Sequence, residues 1–139
     1  MYQLRYIFFL FYNYMNKIFI GSLCLLIVYI LSAFSKVQNI TGTANYLQSR
    51  LTFLPFYICV IGIILVITLQ SLGSGFILYS TFTNQYKNIA SYVVLAFIAF
   101  NIAASLIFHF PPVGKEYLNF VKNVSVTGGF ILLLDALNK

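Results

Sequence analysis

The sequence predicts an all-α protein, a membrane-embedded antiparallel four-helix bundle, and three observations carry that expectation. Of 139 residues, 61% are hydrophobic and 7% are charged, against about 25% charged in typical soluble domains. The mean hydropathy is +0.93. The apolar residues gather into four runs that are too long for strands and lack turn punctuation. A water-soluble globule and a disordered chain are both excluded by this excess. Two cysteines and one histidine are too few for a disulfide or metal scaffold.

Taken in order, residues 1–16 (MYQLRYIFFLFYNYMN) carry Arg5 and many aromatics, and no small-residue cleavage motif follows them. They are expected to form an interfacial or continuing helix, with tyrosines at headgroup depth. A four-span domain is expected over residues 17–139. The first span, residues 18–34, lies between Lys17 and Lys36 and gives about 26 Å of helix, near the lower limit for crossing. The second, residues 55–79, gives about 37 Å and must tilt or protrude. Pro55 suits its first turn, where no N–H partner is lost. The third, residues 89–110, gives about 33 Å and is stopped by Pro111-Pro112. The fourth, residues 118–137, has Lys122 and Asn123 in its first two turns and Asp135 near its end.

Eight Lys and Arg against two acids give a net charge of +6 and a pI near 9.4. The cations are scattered and form no nucleic-acid patch. Their places are helix ends, where they meet phospholipid headgroups. Arg5, Lys17, Lys87 and Lys139 fall on one side, and Lys36, Arg50, Lys115 and Lys122 on the other. That even split gives no positive-inside preference, although an even number of crossings puts both termini on the same side. Glu116 and Asp135 lie near opposite ends of one expected helix, so paired-carboxylate acid/base chemistry is not expected. No Gly-rich phosphate loop, CxxC, HExxH or nucleophile elbow is present. Cys24 and Cys59 sit in different spans at depths roughly 10 Å apart, which disfavours a disulfide. Asn39-Ile40-Thr41 is a sequon in the first loop.

Polar residues inside a span are costly and each needs a reason. Asn101, Ser105 and His109 share one face of the third span, Asn119, Asn123 and Thr127 repeat the spacing in the fourth, and Tyr29, Ser32 and Lys36 form a stripe at the end of the first. Gln70 stands deep in the second span beside Gly73, Ser74 and Gly75. Small residues there, and at Gly128-Gly129, would admit close helix approach, with the Gln amide bonding across the gap. Interhelical hydrogen bonding alone would explain such groups. The functional alternative is a ligand pocket bounded by Lys36, Gln70, Asn101, His109, Lys122 and Asn123, opening toward residues 37–54 and 111–117. His109 is the single histidine, so a bis-His haem within one chain is excluded, and an interfacial or proton-handling role is the alternative.

Several segments together resemble the DoxX family of small four-helix membrane proteins. They are Ser35-Lys36 with Thr43-Ala44-Asn45-Tyr46-Leu47, the small-residue turn over 70–79, and His109-Phe110 closing the third span. Leu118-Asn119-Phe120-Val121-Lys122-Asn123 leading to Gly128-Gly129 completes the pattern. The resemblance covers about residues 17–137. It implies a compact antiparallel bundle in an energy-transducing membrane, either the mitochondrial inner membrane or a bacterial plasma membrane. DoxX-like proteins are linked to quinone-dependent thiosulfate oxidation and to oxidant-defence complexes, and many have no assigned role. The family commonly carries an acidic residue where Gln70 stands here, so the resemblance points toward a member kept as scaffold. The leading expectation is a non-catalytic accessory subunit of a larger, respiratory-type complex, with membrane lipids and other membrane subunits as partners and no cofactor of its own. The alternative is a quinone- or phospholipid-binding subunit of an oxidoreductase. A channel or transporter ranks third, because so few helices form a pore only by oligomerising.

Overall fold

The computed structural model describes residues 2–139, with side chains described for residues 17–114 and 116–139. It is helical throughout: α1 (Tyr2–Gln38), α2 (Ile40–Arg50), α3 (Phe56–Thr68), α4 (Ser74–Thr83), α5 (Lys87–Phe108) and α6 (Lys115–Leu137). A π-helical turn, Leu69–Gly73, joins α3 to α4, so the two form one unbroken span, Phe56–Thr83. With Lys17–Gln38, Lys87–Phe108 and Glu116–Leu137, this makes four helices long and apolar enough to cross a membrane.

The spans alternate in direction, as side-chain contacts at each end show. At one end Phe19 of α1 meets Phe82 of α4, with ring centroids 5.4 Å apart, and Ser91 near the start of α5 donates to Asn138 after α6 at 3.1 Å. At the other end Tyr46 of α2 stacks on Phe108 at the close of α5, 5.4 Å between centroids. Around the bundle α1 packs beside α3–α4 and α6, while α5 packs beside α4 and α6. Leu26, Ile77, Val94, Phe97 and Phe130 fill the centre and are fully buried. Phe97 and Phe130 stack at 5.1 Å, and the Tyr29 ring meets Phe97 edge-on at the same separation. The outer faces are the reverse of a soluble protein's. Leu31, Leu65, Leu72 and Leu132 are each more than 60% exposed, as side chains are when lipid is the solvent.

The ends have local causes. Asn84 closes α4 at φ 59°, a left-handed conformation that Asn tolerates. Gly114 precedes α6 at φ 58°, ψ −128°, a region open essentially to glycine alone. The side chain of Asn39 caps α2 by accepting from the Gly42 amide at 2.9 Å.

Several boundaries depart from the sequence expectation, the first span among them, since α1 runs on to Gln38. The second span runs on to Thr83, the third begins at Lys87 and ends at Phe108, and the fourth starts at Lys115. Hydropathy registers the lipid-buried part of a helix, whereas the backbone hydrogen bonds continue into polar residues at the interface. The loop expected after the first span also contains α2. Its sequence is polar on average, but Ala44 is buried with Cys59 and Ile63 of α3, and Ile40 and Leu47 pack onto them. α1 starts at Tyr2 and so passes without a break through the expected N-terminal segment into the first span.

Candidate functional site

The six residues proposed as one pocket fall into separate groups. Asn101 of α5 is buried, and it closes a network across three helices. Its Oδ1 accepts from the Tyr29 hydroxyl of α1 at 2.8 Å. Its Nδ2 donates to the Asn123 carbonyl and to Thr127 Oγ1 of α6, each at 3.0 Å. Thr127 in turn donates to the Asn123 carbonyl at 2.8 Å. Asn123 therefore contributes its backbone, and every polar atom of the Asn101 amide has a partner.

Lys36 and Gln70 form a second group. Lys36 lies near the end of α1, yet its side chain turns back along its own helix instead of reaching for the interface. Its Nζ donates to the Ser32 hydroxyl, to the Ser32 carbonyl at 3.5 Å and to Gln70 Oε1 at 3.1 Å. This direction follows from the tilt of helical side chains toward the N-terminus. Gln70 is 2% exposed and falls midway along Phe56–Thr83, about 20 Å of helix from either end. A π turn holds it. Thr68 and Ser71 bond back to the carbonyls of Ile64 and Ile67 at 2.9 and 2.7 Å, which bends helices. A Cβ on Gly73 would lie 3.1 Å from Val93 and 3.3 Å from Phe97, so that glycine lets α5 approach closely.

His109 belongs to a third group. It caps the end of α5, and its Nδ1 pairs with Glu116 Oε2 across the α5–α6 turn at 2.5 Å. Asn119 and Arg50 lie alongside Glu116, and Arg50 also sits over the Tyr46 ring. Lys122 is exposed on α6 and joins none of these groups. Thus Lys36 meets Gln70, Asn101 meets Asn123, and His109 and Lys122 stand apart from both. None of the six lines either of the two main grooves. One groove, about 480 Å³, runs between α1 and α6 and includes Gly21, Cys24, Leu25 and Gly129. The other, about 390 Å³, lies between α5 and α6 and includes Ile102, Leu106, Phe120 and Ile131. Both are largely apolar.

Of the glycines expected to ease helix contact, Gly73 and Gly129 do so, the latter 3.1 Å from Leu25 at its would-be Cβ, while Gly75 and Gly128 face open space. The difference arises because neighbouring or next-neighbour positions point in different directions around a helix. The residue missed by sequence reasoning is Glu116. Its spacing of seven from His109 around a Pro-Pro-Val-Gly turn is a weak signal. Cys24 is exposed and Cys59 is buried, and both are free thiols. Among the described residues no cluster of His, Cys, Asp and Glu could hold a metal ion.

With this arrangement in place, the chain is defined as a small four-span integral membrane protein. It is similar to the inner membrane protein YphA of Escherichia coli (strain K12), at 25% identity over 120 residues that cover 82% of this chain and 78% of that protein. No family model matches the chain, and no solved structure does. The four spans and this likeness together make it an integral membrane protein of the inner-membrane type.

Proposed function

We propose that the chain is a DoxX-like accessory subunit of a larger inner-membrane complex, respiratory in type, with no catalysis of its own. The observation that carries this reading is the use of the polar side chains around Asn101. They bond one another across α1, α5 and α6 and fasten the bundle, with Thr127 alone of them reaching the apolar α5–α6 groove. The main grooves are instead apolar, shallow in polar groups and set between outward faces of the helices, which suits neighbouring helices or lipid more than a reacting substrate.

Native mass spectrometry of the protein extracted from its own membrane in mild detergent tests this. A stoichiometric assembly with other membrane subunits is the expected result. A free monomer, or an oligomer of this chain alone, overturns the reading.

A further inference from the structure

The chain turns the half-buried ammonium of Lys36 back along α1 onto the buried Gln70 without giving it an anion. Its sequence contains two acidic residues, and both are engaged elsewhere: Glu116 with His109 and Asp135 with Lys139. The partners of Lys36 are the neutral oxygens of Ser32 and Gln70. Gln70 lies midway along its span, and charged groups held at such a residue are paired and functional as a rule.

The surrounding groups are one-sided in the same way. Gln70 uses Oε1 to accept from Lys36, so both N–H bonds of its amide remain available. Ser74 follows four residues later on the same face of the span, is fully buried, and its Oγ has no hydrogen-bond partner. The set is therefore a cation with two further donor groups and no anion. We infer that Lys36, Gln70 and Ser74 form an intramembrane receptor site for a carboxylate brought from outside the chain. One carboxylate oxygen meets the ammonium, and the other takes hydrogen bonds from the amide and the hydroxyl. Two sources fit that chemistry: an Asp or Glu in a membrane helix of a partner subunit, or the head of a fatty acid. The first source rests on the accessory-subunit reading, and the second does not.

The test is native mass spectrometry of the full chain from its own membrane, as wild type, Lys36→Met, Lys36→Arg, Gln70→Glu and the distant exposed control Lys17→Met, with helicity checked by circular dichroism. Wild type, Lys36→Arg and Lys17→Met are expected to carry a carboxylate-bearing species, identified by mass as a fatty acid or as a subunit with Asp or Glu in a spanning segment. Its occupancy is expected to fall at least roughly tenfold in Lys36→Met, since unpaired intramembrane charge costs more than that factor. Gln70→Glu should lose it too, because the new side chain supplies an internal carboxylate beside Lys36. A merely structural glutamine does not lead to that result. If the species is a fatty acid, oleate added to delipidated wild type restores the mass and oleyl alcohol does not. A fatty acid on a monomer upholds the site and overturns the accessory-subunit reading. A subunit that Lys36→Met still retains overturns the site and leaves that reading standing. A wild type carrying neither species, or carrying a neutral one such as a quinone, overturns the site.

Discussion

The bundle holds two buried polar centres, one at Asn101 and one at Lys36. Around Asn101 each donor finds an acceptor, three of the bonds cross between helices, and the group is neutral. Around Lys36 the donors outnumber the acceptors, a positive charge is present, and Ser74 Oγ is unpartnered. A closed neutral network lowers the free energy of the bundle by itself. An open cationic one costs free energy until something anionic arrives. The contrast separates a residue that holds the fold from a residue available to something outside it, although both are polar side chains on membrane-spanning helices.

The largest effect is expected from Asn101→Leu, which removes three interhelical bonds at once. At about 0.6 kcal/mol for an average membrane hydrogen bond, with maxima near 1.7, the loss should be about 2–3 kcal/mol, read from unfolding in mixed micelles. Gly73→Leu should cost about 1–3 kcal/mol through overpacking against Val93 and Phe97. Gly75→Leu, which meets open space, should leave the unfolding midpoint in place, and equal losses from the two would refute the close approach of α5 at Gly73. A smaller and local effect is expected at the loop end. Glu116→Gln weakens the pairing with His109 and should speed amide exchange over residues 109–116 without altering the spans. The least change is expected for Asp135→Asn, whose partner Lys139 is mostly exposed. Its effect should stay below about 0.5 kcal/mol.

The architecture was legible because lipid imposes a length and a composition on each crossing. All four spans were readable from apolar runs between cations and prolines. The faces bearing Tyr29, Ser32 and Lys36, and Asn101 and Ser105, were readable from helical periodicity. The π turn at Leu69–Gly73 was not, because the back-bonding Thr68 and Ser71 beside it are matched by Ser22, Thr81 and Ser105 in regular α-helical turns. α2 was hidden by its polar composition, since its helicity comes from packing Ala44 and Leu47 onto α3 and from the Asn39 cap. The single expected pocket divided because Lys36 turned inward toward Ser32, while His109 lies past the end of α5 and was drawn to Glu116. Periodicity places a residue on a face but does not choose between the interface and the interior for a long flexible side chain.

The most direct measurement sets the two centres against each other: unfolding of the purified Asn101→Leu and Lys36→Met variants, each paired with the native mass of the species extracted from the membrane. Asn101→Leu should lose about 2–3 kcal/mol of stability. Lys36→Met should keep the protein within about 1 kcal/mol of wild type and lose the carboxylate-bearing species proposed to meet Lys36. A Lys36→Met variant that is destabilised as strongly as Asn101→Leu, yet retains everything wild type carries, would show that both centres serve only to hold the bundle together.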